Sequence, residues 1–165
     1  MKSGRLSVIL LAAAALAAPS YGQMAISAKA GLVNAADGDV FIDGKLVEPK
    51  ANEFVTAPKG GEVRTGEGRV EVLLTPGAFL RMAETGAFRL VENDLSNVVV
   101  DLLEGSVLID IAELADETGV TVRVAGHVVR PKKRGIYLIE AGAGPRIPVY
   151  NGEAAGGGES PGGRV

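Results

Sequence analysis

Residues 61–82, GEVRTGEGRVEVLLTPGAFLRM, decide the fold. Val70, Val72 and Leu74 alternate with Glu71 and Leu73, and after Thr75-Pro76-Gly77 the residues Ala78, Leu80 and Met82 alternate with Phe79 and Arg81. Successive side chains on a strand point to opposite faces, so a period of two predicts strands with one buried face and one face carrying Glu and Arg. Proline followed by glycine is the type II turn signature, because Pro presets its own φ and Gly accepts the positive φ that follows. The stretch reads as two strands joined by a tight turn. Arg64-Thr65-Gly66 reads as a further turn, ahead of Val70.

The same period extends in both directions. Val98, Val100 and Leu102 precede Glu104-Gly105, after which Val107, Ile109 and Ile111 alternate with Leu108 and Asp110, and this pair reads as a hairpin. Val120, Val122 and Val124 lead to an Ala125-Gly126 turn, and Ile136 and Leu138 close the series. Asp37-Gly38 and Asp43-Gly44 read as hairpin turns on either side of Val40-Phe41-Ile42. The expectation is an all-β domain over residues 30–153, an antiparallel meander or sandwich of roughly ten short strands. Gly68, Gly77 and Gly86 are evenly spaced, but three turns do not separate a solenoid from a meander. Ile111–Thr118, IAELADET, reads as a loop with at most one helical turn.

Both ends of the chain differ from this middle. Lys2 and Arg5 precede the apolar run Leu6–Ala18, and Ser20 and Gly22 are small residues placed for cleavage before Gln23. Residues 1–22 therefore read as a secretory signal peptide, its apolar run falling short of the roughly 20 residues that span a bilayer. Its removal takes away two cations and no acid, so the formal charge goes from −3 to −5. The expected product is periplasmic or extracellular, acidic, and without a stable membrane anchor or any general attraction to nucleic acid. The chain has no Cys, so neither a disulfide nor a lipid-anchored cysteine is available. Residues 154–165, AAGGGESPGGRV, are rich in glycine and offer little apolar burial, which predicts a disordered tail.

Candidate chemistry is sparse. His127 is the only histidine, so a zinc site or a Ser-His-Asp arrangement lacks its other members. The carboxylates Asp37 with Asp39, Glu92 with Asp94, and Glu113 with Asp116 and Glu117 read as turn and surface residues, none at a calcium-loop spacing. Arg130–Arg134, RPKKR, reads as a solvated connection whose proline and charges discourage edge pairing. Ala141–Pro145, AGAGP, with Gly142 and Gly144, lacks the Lys and Ser/Thr of a phosphate loop. With 4% aromatic residues, stacking platforms for sugars or single-stranded nucleic acid are not expected. The reading is non-enzymatic, with no catalytic, metal-binding or cofactor-binding residue and no cofactor. A hydrolase of envelope polymers is the least favoured class.

Gly61–Asn93, GEVRTGEGRVEVLLTPGAFLRMAETGAFRLVEN, followed by Val98–Leu114, VVVDLLEGSVLIDIAEL, resembles the FecR family domain. The elements that carry the resemblance are Val63–Gly66, Val70–Leu74, Pro76-Gly77, Leu80-Arg81 and Leu102–Gly105. KKRGIYLIEA and IPVYNGEA are similar to the later strands of secreted FecR-like proteins. The resemblance implies a sensor domain of the kind found in transmembrane anti-sigma regulators, here without a cytoplasmic sigma-binding region. It carries no catalytic residue, and after VYNGEA it implies a further apolar strand where this chain has glycines. The expected function is an exported protein-interaction or sensor module in cell-surface signalling, with an envelope protein as partner. The alternative is a structural envelope or surface-matrix protein whose homo-oligomerisation proceeds through sheet edges.

Overall fold

The computed structural model describes residues 29–48, 53–113, 119–142, 144, 149–150 and 153–157. Within them the chain is all-β: β1 (Leu32–Ile42), β2 (Lys45–Leu46), β3 (Glu62–Thr75), β4 (Ala78–Met82), β5 (Gly86–Asp94), β6 (Asn97–Glu104), β7 (Ser106–Ile111), β8 (Val120–Val124), β9 (His127–Pro131), β10 (Gly135–Glu140), β11 (Val149–Tyr150) and β12 (Ala154–Gly157). The strands form one sheet in the order β11-β10-β7-β4-β3-β5-β6-β8-β9-β12, with β1 on the other edge of β3 and β2 on β1.

This order makes sense as two leaves that share their strand paths. The C-terminal half of β3 pairs with β4 and its N-terminal half with β5. Beyond them β4 pairs with β7, and β5 with β6. Leaf I therefore holds β4, β7, β10 and β11, and leaf II holds β5, β6, β8, β9 and β12, while β1 and β3 run through both. Each leaf buries one row of side chains per strand face. Val72, Leu80, Ile109 and Tyr137 lie in register in leaf I, and Leu90, Val100, Val122 and Val129 in leaf II. All eight are buried and belong to a single core cluster, so the leaves are folded face to face. Full burial of each such side chain contributes about 1.5–3 kcal/mol.

The crease between the leaves crosses the strands. Gly38 of β1 is the register partner of Gly68 of β3, and a Cβ on Gly38 would sit 2.2 Å from the Glu67 carbonyl oxygen. Bare backbones are needed where the strands turn this sharply, and β1 slips register between Gly38 and Val40 at the same level. The next strand path crosses at Ala83–Thr85, and the one after it at Gly105. Opposite the crease, the leaves meet at the Tyr137 hydroxyl, which lies 2.6 Å from the Lys133 carbonyl oxygen and 3.0 Å from that of Glu153. The Glu153 N–H donates to the same hydroxyl at 3.1 Å.

The expected all-β character and the Pro76-Gly77 turn hold, Gly77 having φ +80° between β3 and β4. Asp43-Gly44 and Ala125-Gly126 are hairpin turns with positive φ at both residues. Five expectations need correction. The sheet is mixed, because β8 lies in the other leaf from β7 and runs parallel to β6. Gly66 and Gly68 do not end a strand: β3 runs through them, with β1 along one edge. Asp37-Gly38 lies inside β1 in the same way. Glu104-Gly105 is no hairpin, because β6 and β7 pair with different neighbours and the chain simply crosses the crease. Ala154–Gly157 form β12 on β9, so the tail expected to be disordered from residue 154 starts with a strand. Backbone hydrogen bonding to a sheet edge supplies what glycine side chains cannot. Residues 158–165, 114–118 and the signal-like segment 1–22 lie outside the described residues.

Candidate functional site

The outer face of leaf I carries the most distinctive surface. Glu71, Arg81, Leu108 and Leu138 stand in register on β3, β4, β7 and β10, and Leu73, Phe79, Asp110 and Ile136 form the next row. Arg81 bridges the rows: its Nε lies 2.5 Å from Glu71 and its Nη1 2.6 Å from Asp110. Its guanidinium also lies 5.9 Å from the centre of the Phe79 ring. Asn34 on β1 donates to the second Glu71 oxygen. That hydrogen bond, and after it the one from Arg81, holds the Glu71 carboxyl below the usual carboxylate value against the opposing effect of burial.

A groove of about 690 Å³ crosses this face from β1 to β10 beside the crease. Ala36, Met82, Leu108 and Leu138 give it an apolar lining, with the Asp37–Arg69 pair at one end. A shallower hollow of about 490 Å³ continues it onto the crease, sharing Asp37, Arg69 and Ala83 and adding Glu67 and Glu84. The wall at Ala83 is fixed by Thr65. Its buried hydroxyl donates to the Ala83 carbonyl at 2.6 Å and accepts the Gly86 N–H at 3.1 Å. This is a physical reason for a threonine in Val63–Gly66: it ties β3 to the corner between β4 and β5. Thr85, β-branched, is held at φ +59° in the same corner, a costly conformation for such a residue.

The outer face of leaf II is different. Glu62, Arg89, Asp101 and Arg123 alternate in sign across β3, β5, β6 and β8, with Glu62–Arg89 at 3.0 Å and Asp101–Arg123 at 2.5 Å. Each of these four charges meets its opposite.

The residues singled out in the sequence are scattered. His127 opens β9 opposite Val124 and is half-buried. Among the described residues no group of three or more His, Cys, Asp or Glu is arranged to hold a metal. Asp37 pairs with Arg69 at 2.8 Å, Glu92 with Lys59 at 2.6 Å, and Asp94 with Lys29. Asp39 and Glu113 are exposed, and Asp116 and Glu117 lie outside the described residues. In Arg130–Arg134, Pro131 is buried at the end of β9 and Lys133 pairs with Glu153 at 2.6 Å. Gly142 and Gly144 follow β10.

Sequence reasoning did not find the groove, because its members come from five strands. One signal was available: Val107-Leu108-Ile109 and Ile136-Tyr137-Leu138-Ile139 place apolar residues where alternation calls for polar ones. Set against family models, curated proteins and solved structures, the chain matches none.

Proposed function

We propose that the chain is an exported, non-enzymatic FecR-like module that recognises an envelope protein and acts in cell-surface signalling. The observation that carries this reading is the groove across leaf I, an apolar channel beside the paired charges of Glu71, Arg81 and Asp110. Concave apolar surfaces with a few placed polar groups are the usual form of a recognition site. The resemblance of Gly61–Asn93 to the FecR domain supplies the signalling context.

A second reading, a structural component that self-associates through sheet edges, draws on β1. Among the described residues its outer edge is met at Val33 by Val55 and from Val40 to Ile42 by β2 and Val47. The stretch between offers main-chain groups to another strand. Crosslinking in place with the chain Gln23–Val165, followed by recovery from the envelope fraction, separates the two. An outer-membrane receptor or another sensor protein is the expected catch. Recovery of the chain alone, with sedimentation that shifts with concentration in the absence of any partner, would favour the structural reading.

A further inference from the structure

We propose that the groove across leaf I, taken as the recognition surface of the module above, binds an extended segment of a protein partner with basic side chains at one end and apolar ones at the other. Its length sets the first constraint. From β1 to β10 it crosses four inter-strand spacings of about 4.8 Å, close to 19 Å. An extended chain advancing about 3.3 Å per residue covers that with about six residues.

Its polarity sets the second. At the β1 end and on the adjoining crease, Asp37, Glu67 and Glu84 surround a single cation, Arg69. Arg69 is taken up by Asp37, and among the described residues Glu67 and Glu84 have no ion-pair partner. In the middle, Arg81 is neutralised by Glu71 and Asp110. At the β10 end the lining is Leu108, Leu138 and Ser106. The lining therefore runs from an acidic end, past Glu71, Arg81 and Asp110, to an apolar end flanked by Glu140, the register partner of Ser106, and is complementary to Lys or Arg followed by Leu, Ile or Val. Anionic lipid headgroups and nucleic acid would meet uncompensated carboxylates at the acidic end and are disfavoured. The Thr65 hydrogen bonds hold the acidic wall in place before a ligand arrives, which lowers the ordering cost of binding.

The test uses the protein as its cells process it, with a fluorescein-labelled octapeptide carrying two arginines at one end and three leucines towards the other. Anisotropy titration should show binding about tenfold tighter than for the same peptide with aspartates for the arginines or serines for the leucines. The double variant Glu67→Gln/Glu84→Gln should weaken binding about fivefold and flatten its salt dependence, and Leu108→Ser should weaken it comparably. Arg123→Ala, on the other leaf, should change nothing. Leu138→Ser serves where Leu108→Ser lowers the melting midpoint. No binding up to about 1 mM, equal binding of all three peptides, or groove variants that bind like the parent overturns the proposal. A partner captured in the envelope but crosslinked to leaf II or the β1 edge also overturns it while leaving the interaction module standing. Recovery of the chain alone removes that broader reading instead.

Discussion

Thr65 and Gly77 show how single positions hold the surfaces that matter. Thr65 is buried and its hydroxyl serves two backbone groups at the corner between β4 and β5. Thr65→Val keeps the shape but strands the Gly86 N–H and the Ala83 carbonyl, so stability should fall by about 1–3 kcal/mol. Thr65→Ser should recover most of that, and chemical denaturation of the pair distinguishes hydrogen bonding from packing. Gly77 needs its φ of +80°, and a Cβ there would lie 2.9 Å from Cβ of Glu113 and 3.1 Å from its carbonyl oxygen. Gly77→Val should therefore lower the thermal midpoint by the equivalent of about 1 kcal/mol or more. An unchanged midpoint would show that the turn relaxes freely. The Pro76-Gly77 turn was legible because its chemistry is local. The role of Thr65 was not, since its partners lie about twenty positions further along the chain.

Strands and their faces come next in scale. Alternation in Val70–Leu74 and Ala78–Met82 identified β3, β4 and their buried rows, because a half-buried strand must alternate. It misread Glu104-Gly105, since two apolar strands flanking a glycine look the same whether they pair with each other or cross a crease to different neighbours. On the outer face of leaf I the cluster of Asn34, Glu71, Arg81 and Asp110 has a pH signature. The Glu71 carboxyl is depressed in the folded chain relative to its ordinary 4.5. A depressed acid contributes stability that is present above the unfolded value and disappears as pH falls through the folded one. Stability should thus drop between about pH 5 and the lower folded value, and Glu71→Gln should flatten that part of the curve while shifting stability at pH 7 by about 1 kcal/mol or less. Urea unfolding at stepped pH measures both, and parallel curves for the two proteins would show that Glu71 is uncoupled from folding.

At the scale of the whole molecule, the two leaves are joined by a crease at one side and by Tyr137 at the other. Tyr137 is fully buried, and its hydroxyl links β10 of leaf I to the residue that leads into β12 of leaf II. Tyr137→Phe should cost about 1–2 kcal/mol and leave one cooperative transition, because both leaves share a single core. Two separated transitions in calorimetry would mean that the leaves fold independently. The sequence by itself determined the all-β class, the turns at Asp43-Gly44, Pro76-Gly77 and Ala125-Gly126, and most buried rows. These depend on the two-residue period and on the backbone freedom of particular residues, both written locally. Only the tertiary structure decided which strands are neighbours, where the glycines act as a crease rather than as turns, and that Leu108, Leu138, Arg81 and Asp37 border one groove. Strand pairing is a competition among many edges with equivalent backbone hydrogen bonds, and it is settled by how both leaves together bury one core.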